Sequence, residues 1–190
     1  MMAVLVPLVV LVPLLAAALT LVLGRRARPQ RIVAALALVV VLGLSVALLI
    51  GVDAGGAVVV EAGDWPAPYG IVLVVDRLSA LVLLAVLVFS IGQGLADGDD
   101  ETPVSIYYPT YLILTTGVMV AFVAGDLFNL YVGFEILLVA SYVLITLGGT
   151  QARIRAGVTY VIVSLLSSVL FLATIGKVYG ALGTLNHAQV

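Results

Sequence analysis

Residues 125–149 read GDLFNLYVGFEILLVASYVLITLGG, and the fold turns on them. The stretch is long enough to cross a bilayer as a helix, which takes about 20 residues at about 1.5 Å of rise each. Yet Glu135 sits near its middle. A bare carboxylate at the bilayer centre is costly to insert, so such groups face a protein interior or a watery cavity. At about 100° per residue, Phe128, Tyr131, Glu135, Val139, Tyr142 and Thr146 fall on one face. Two phenols and a hydroxyl thus flank the carboxylate, while the other faces carry mostly Leu, Val, Ile and Ala. The stripe needs a partner surface that can satisfy it.

The surrounding composition sets the solvent. The chain has 190 residues, 64% hydrophobic and 9% charged, with a mean hydropathy of +1.32. Soluble domains run at about 25% charged, so this is an integral membrane protein. Cysteine is absent, which excludes disulfides, thiolate chemistry and Cys-based metal or haem attachment. A single histidine, His187, excludes a His-ligated haem pair or a multi-His metal site within the chain. No basic patch of the kind nucleic acid requires is present. The first apolar run lacks a positive segment before it and is followed by its positive charges, so it reads as a retained helix rather than a cleaved signal peptide.

Outward from the opening stretch, six spans appear. Ala3 to Leu23 is the first, with Pro7 and Pro13 expected to kink or start it. The loop GRRARPQR holds Arg25, Arg26, Arg28 and Arg31, and Ile32 to Ile50 is the second span, ending at Gly51. A loop with Asp53, Glu61 and Asp64 follows. In it, the β-favouring runs Ala57 to Val60 and Ile71 to Val75 flank the turn-rich GDWPAPYG, predicting a hairpin or extended segment outside the bilayer. Asp76 and Arg77 open a third span reaching about Gly94, and the acidic turn ADGDDETP comes next. The fourth span runs from near Tyr107 to near Ala124, its start rich in interfacial tyrosine (Tyr107, Tyr108, Tyr111). After the fifth, the loop GTQARIR with Arg153 and Arg155 leads to a sixth from about Gly157 to Tyr179 and a tail, GALGTLNHAQV. The fold class is therefore an all-α polytopic membrane protein of about six transmembrane helices. Residues 1–104 hold three leading helices with an outer loop or hairpin at 52–76, and residues 105–190 hold helices four to six. Six of the eight Lys and Arg residues sit in the loops after the first and fifth spans. Those loops are expected to be cytoplasmic, which puts the N-terminus, the Trp65 loop, the Gly125–Asp126 turn and His187 outside.

Several side chains carry candidate chemistry. Glu135 suits proton relay rather than hydrolysis, because a buried carboxylate exchanges its proton as nearby positive charge moves. The bland alternative is a carboxylate satisfied by Tyr or Ser of neighbouring helices and serving packing specificity alone. Lys177, the only lysine, reads as a snorkelling side chain near the outer end of the sixth span. Pairing it with Glu135 would have to bridge an axial offset on the order of 8 Å. Asp126 begins the fifth span and fits an N-cap or first-turn carboxylate better than a proton-loading group. Asn129 is suited to hydrogen bonding within a bundle. Asp76 and Arg77 read as local capping and pairing. Tyr160, Ser164, Ser167 and Thr174, at i, i+4, i+7 and i+14, form a small polar face on the sixth span. That face is either a packing seam or the lining of a hydrated path, and a seam against Glu135 would serve both. No phosphate-cradling glycine loop, hydrolytic triad or metal-ligand cluster is present, and no cofactor is expected.

With these residues in view, GDLFNLYVGFEILLVASYVLITLGGT resembles the fifth-helix signature of the D-type component of Mrp cation/proton antiporters. Those proteins are related to the antiporter-like proton-pumping subunits of respiratory complex I. The agreement extends to WPAPYGIVLVVDRLSAL before the third span, and to SLLSSVLF and YGALGTLN around the sixth, and so covers most of residues 60 to 187. The resemblance implies three leading helices before two inverted five-helix repeats, of which residues 105–190 supply an incomplete first repeat. It implies that Glu135 belongs to the ion-translocation machinery and works with a lysine on a seventh helix. That lysine and the second repeat are missing from this sequence, and Lys177 does not align with it. Tyr131, Tyr142, Asp126, Ser164, Ser167 and Lys177 are supporting candidates around Glu135. Two departures from the family pattern fall on the sixth span, where a basic residue is common near Thr159 and an amide near Ser164. The implied function is a membrane subunit of a multi-subunit Na⁺/H⁺ antiporter in the cell membrane, with other subunits, the bilayer, protons and Na⁺ as its partners. On this reading the sequence is an N-terminal fragment or a truncated product. The alternatives are a proton-pumping membrane-arm subunit of an NADH–quinone oxidoreductase or membrane-bound hydrogenase, and a non-transporting scaffold.

Overall fold

The computed structural model describes residues 2–24, 26–65, 70–96 and 106–187. Arg25, the Pro66–Tyr69 part of the predicted turn and the acidic turn from Asp97 to Pro103 lie outside the described residues. Six helices follow in order: α1 (Met2–Val22), α2 (Ala27–Gly55), α3 (Arg77–Ala96), α4 (Tyr107–Val123), α5 (Leu127–Thr146) and α6 (Gln151–Leu182). Between α2 and α3 lie the strands β1 (Val58–Glu61) and β2 (Val72–Val75). Helices α1, α2, α5 and α6 are long and apolar enough to cross a bilayer, and α4 is apolar but shorter. The molecule is thus the expected all-α polytopic membrane protein.

Apolar character around the whole circumference, rather than one apolar stripe, is what makes these helices membrane spans. Leu15, Leu36, Ile50, Val88, Ile162 and Leu166 are all exposed, as suits side chains solvated by lipid. The interior is drawn from α1 to α4, where Val6, Val9, Val41, Leu48, Leu83, Leu87, Leu112 and Met119 are fully buried. Pro7 and Pro13 lie inside a continuous α1. At its end, the buried Gln30 of α2 donates from Nε2 to the carbonyls of Thr20 (2.8 Å) and Gly24 (2.5 Å). Those carbonyls have no later helical turn to bond them, so one side-chain amide closes α1 and fixes α2 antiparallel to it.

Helix boundaries differ from the sequence reading in three places. α2 starts at Ala27 rather than Ile32, so Arg28 and Arg31 lie on it rather than in the loop. α2 runs to Gly55 instead of stopping at Gly51, so Asp53 belongs to its last turn and the outer segment starts later than residue 52. Its 29 residues span about 44 Å at 1.5 Å each, more than the roughly 30 Å hydrocarbon core. Asp53 there meets Arg77 of α3 in an exposed ion pair, Nη2 to Oδ1 at 2.7 Å. Likewise α6 starts at Gln151, so Arg153 and Arg155 sit on its first turns rather than in a loop. Thr150 caps it by accepting from the Arg153 N–H at 3.3 Å, and the Arg153 guanidinium donates to the Leu147 carbonyl.

The predicted hairpin is present: β1 and β2 pair antiparallel with Val58 opposite Val75 and Glu61 opposite Val72. It does not stand alone. Leu73 bridges to Ala124 in the α4–α5 turn, and Asp126 of that turn bridges to Asn186 beyond α6. Gly125 donates to the Val72 carbonyl at 2.7 Å and accepts from the His187 N–H at 3.0 Å, while Leu127 donates to Leu185 at 3.0 Å. Only glycine fits at 125, since a Cβ there would lie 2.8 Å from the Val72 carbonyl oxygen and 2.7 Å from Val74 Cγ2. One extended lattice therefore ties the starts of α3 and α5 to the end of α6.

Candidate functional site

Glu135 is positioned by what α5 does on its other side. The face carrying Asn129, Gly133 and Ala140 is buried and packs against α4 through small residues. A Cβ on Gly133 would stand 2.7 Å from the Ala121 backbone nitrogen, and one on Gly117 would stand 2.7 Å from that of Leu137. Small residues let membrane helices approach closely enough for dispersion to hold them. With α5 pressed backbone to backbone on α4, its Glu135 face turns away from the core and meets α6. Glu135 is half-buried there.

Asp126 caps α5 as its sequence position suggested. Oδ1 accepts from the Asn129 N–H at 2.7 Å, and Oδ2 accepts from the Val72 N–H of β2 at 3.4 Å. The carboxylate thus serves both a helix start and a strand, an arrangement that accounts for its burial without any proton-loading role. Asp76 does the same at the start of α3, accepting from the Ser79 N–H at 2.7 Å. That backbone hydrogen bond, helped by the Ser79 side chain, holds the Asp76 carboxyl below its ordinary value of 3.8.

α5 and α6 run antiparallel, and their contacts come in a regular register. A Cβ on Gly157 would collide with Thr146 Cγ2, so glycine lets the helices close at that end. Next, the Ser141 hydroxyl pairs with the Tyr160 hydroxyl at 2.7 Å. Two turns further along α5, the Ser168 hydroxyl donates to Glu135 Oε1, and the Tyr131 hydroxyl lies 3.2 Å from the same Ser168 oxygen. Tyr131 also packs edge-on against Phe171, centroids 5.9 Å apart. Between these rungs lies a crevice of about 210 Å³, lined by Glu135, Tyr142, Tyr160, Ser164, Leu138 and Ser168 among others. A carboxylate that accepts from a buried hydroxyl, beside a crevice that is apolar apart from the hydroxyls of Tyr142, Tyr160, Ser164 and Ser168, can hold or release a proton with those protein dipoles around it.

The predicted supporting residues separate into two groups. Tyr131, Tyr142 and Ser164 are brought to Glu135, and Asp126 holds the start of its helix. Ser167 and Lys177 are not at the site. Ser167 is exposed and returns its hydroxyl to the Val163 carbonyl at 3.0 Å. Thr174 does likewise with Leu170 at 2.8 Å. Lys177 is exposed and lies nine residues past Ser168, hence about 13 Å along α6 and roughly half a turn around it. The ion pair seen among the described residues is Arg77–Asp53 rather than any involving Glu135.

The polar face of α6 is therefore rotated from the one read in the sequence. Gly157, Ser164, Ser168, Phe171 and Ile175 point to α5, and Tyr160 reaches in from the edge. Ser168 is the hydrogen-bond partner of Glu135 that the sequence reading missed. Ser167 and Ser168 are adjacent, so spacing from Tyr160 alone does not choose between them. The burial of Gly157 and Ile175, which lie on the Ser168 side of the wheel, does. No group of three or more metal-ligating side chains occurs among the described residues.

Comparison with known proteins finds relatives in sequence and in fold. Residues 124–190 match a family model described as NADH:quinone oxidoreductase/Mrp antiporter, transmembrane. The chain is 36% identical over 192 residues to the D-type component of the Na⁺/H⁺ antiporter of Alkalihalophilus pseudofirmus, covering 98% of this chain and 38% of that protein. Among solved structures it is similar to a chain of the Mrp complex from Dietzia sp., with a TM-score of 0.89, 31% identity, and 99% of this chain and 36% of that one covered. It is also similar to a chain of an archaeal membrane-bound sulfane sulfur reductase, with a TM-score of 0.88 at 27% identity, covering 95% and 38% respectively. The chain thus spans between a third and two fifths of the length of these relatives.

Proposed function

Because this chain belongs to the family of D-type Mrp antiporter proteins and their complex I relatives, we propose that it acts as a membrane subunit of a multi-subunit cation/proton antiporter. In this reading the complex exchanges cytoplasmic Na⁺ for protons, and Glu135 is its proton- and charge-coupling carboxylate. The observation that carries it is the placement of Glu135: an acid in mid-membrane, hydrogen-bonded to Ser168 and open to a crevice with two phenols. An acid serving packing alone would be expected to face a sealed seam. This one faces a cavity.

The orientation follows from charge. Arg28 and Arg31 on α2 and Arg153 and Arg155 on α6 stand at the two helix-pair turns joining α1 to α2 and α5 to α6. Positive residues of short loops favour the cytoplasm, so the hairpin end and the N-terminus face outwards across the plasma membrane. Partners are the other subunits of the antiporter, as in the relatives. The test is Glu135→Gln in the full-length complex: antiport measured in everted vesicles should fall by most of its activity while the complex still assembles on native gels. Undiminished antiport refutes the assignment, and lost assembly with proportionate flux would favour a scaffold.

A second reading is favoured by the likeness to a respiratory reductase. There the same carboxylate would relay protons in a redox-driven pump, with electron carriers in other subunits. Flavin or iron–sulfur proteins co-purifying with the chain would decide for it.

A further inference from the structure

We infer that Ser168 and Tyr131 form a hydrogen-bond polarity switch that reads the charge of Glu135. The inference rests on Glu135 being the coupling carboxylate and adds what its protonation does to α6. Ser168 contacts Glu135 Oε1 and the Tyr131 hydroxyl through one oxygen. An ionised carboxylate only accepts, so the single Ser168 proton must point at Glu135. That leaves Ser168 as the acceptor and Tyr131 as the donor at 3.2 Å. The chain runs in one direction, from phenol to hydroxyl to carboxylate.

Protonating Glu135 releases that constraint. With the new O–H on Oε1 it donates to Ser168, whose own proton then turns to the Tyr131 oxygen, and Tyr131 aims its proton elsewhere. No covalent bond other than that of the proton on Glu135 changes; two hydroxyl rotors move. The surroundings suit such a device. Ser168 is buried at 9% exposure, which limits exchange of its partner for bulk water. The Tyr131 ring is clamped by Phe171 at 5.9 Å and Phe128 at 6.3 Å, and Phe171 is itself braced by Phe134 at 6.1 Å. With the ring fixed, the charge of Glu135 is expressed in the hydroxyl alone.

The other titratable groups near Glu135 are Tyr142 on its own helix and Tyr160 on α6. α4, packed behind, contains no Asp, Glu, Lys, Arg or His. Its tyrosines lie two turns or more toward its start, with the Tyr111 hydroxyl bound to the Ser90 carbonyl at 3.2 Å.

The experiment is infrared difference spectroscopy, acid minus neutral, on the full-length protein with its accompanying subunits in liposomes, with ring-deuterated tyrosine to mark the phenol C–O band. A tyrosine band pair should appear in the unmodified protein and vanish in Tyr131→Phe and in Glu135→Gln. It should vanish in Ser168→Ala and persist in Ser168→Thr, which keeps the hydroxyl. Antiport should fall roughly tenfold in Ser168→Ala and stay within about twofold in Ser168→Thr, a hydrogen bond to a charged group having been lost or kept. Persistence of the tyrosine band in Ser168→Ala or in Glu135→Gln overturns the switch. Full antiport in Glu135→Gln instead overturns the coupling role on which the switch rests.

Discussion

Replacing Gly133 by alanine puts a methyl group where the α4–α5 seam has no room. The new Cβ would lie 2.7 Å from the Ala121 nitrogen, 3.0 Å from its Cα and 3.2 Å from its Cβ. Ordinary contacts lie near 3.5–4.0 Å, so the helices must separate by roughly 0.7–1 Å, enough to forfeit a quarter to a half of the dispersion well along the seam. Overpacking of this kind costs about 1–3 kcal/mol, against which alanine recovers about 1 kcal/mol of helix propensity. A matched control exists on α6, because a Cβ on Gly176 meets nothing within 4 Å. Gly176→Ala should therefore stabilise by up to about 1 kcal/mol while Gly133→Ala destabilises. Thermal unfolding in lipid nanodiscs, both variants side by side, reads the difference in sign. Since the nearest atoms are backbone, adding Ala121→Gly should not restore Gly133→Ala. Equal shifts in the two single variants, or full rescue by Ala121→Gly, would refute the close-packed seam.

Two further outcomes concern the hairpin end. Asp126→Ala removes the acceptor of both the Asn129 and Val72 N–H groups and should cost about 1 kcal/mol; amide hydrogen exchange should quicken at both positions, and unchanged exchange at Val72 would disprove the strand tie. The Asp76 carboxyl is held below its ordinary 3.8 by the Ser79 N–H, so its stabilisation is present above that value and is lost as pH falls through the lower folded value. Melting temperatures measured below about pH 4 should therefore fall less steeply in Asp76→Asn than in the parent, and parallel curves would remove the effect.

Much of this architecture is legible in the sequence because the bilayer makes a simple demand. Apolar length alone located the helices, the short β-favouring runs on either side of a turn-rich segment located β1 and β2, and Asp126 ahead of an apolar run announced a cap. Helix ends were less legible. α2 and α6 continue through Asp53 and Arg153, because charged residues leave a membrane without needing to leave a helix. The rotation of α6 was the consequential miss. Its lipid side is as apolar as its packed side, so hydropathy has no phase to report, and hydroxyls that bond their own helix, as Ser167 and Thr174 do, look identical in sequence to hydroxyls that reach across. The second bond of Asp126, to a strand 54 positions earlier, has no local signal at all.

The extended lattice at the hairpin end has a consequence for the order of assembly. It joins Val72 to Gly125 and Gly125 to His187, segments made at widely separated times during synthesis. Helix pairs such as α1 and α2 can settle as soon as both are inserted. The lattice cannot close until α6 has crossed and returned its end to the hairpin, and contacts so distant in sequence form late. Until then the α4–α5 turn, already paired with β2 on one side, keeps an open edge where residues 185–187 will bond, and the register of Glu135 against Ser168 has no anchor at its outer end. The Glu135–Ser168 contact thus waits on the insertion of α6.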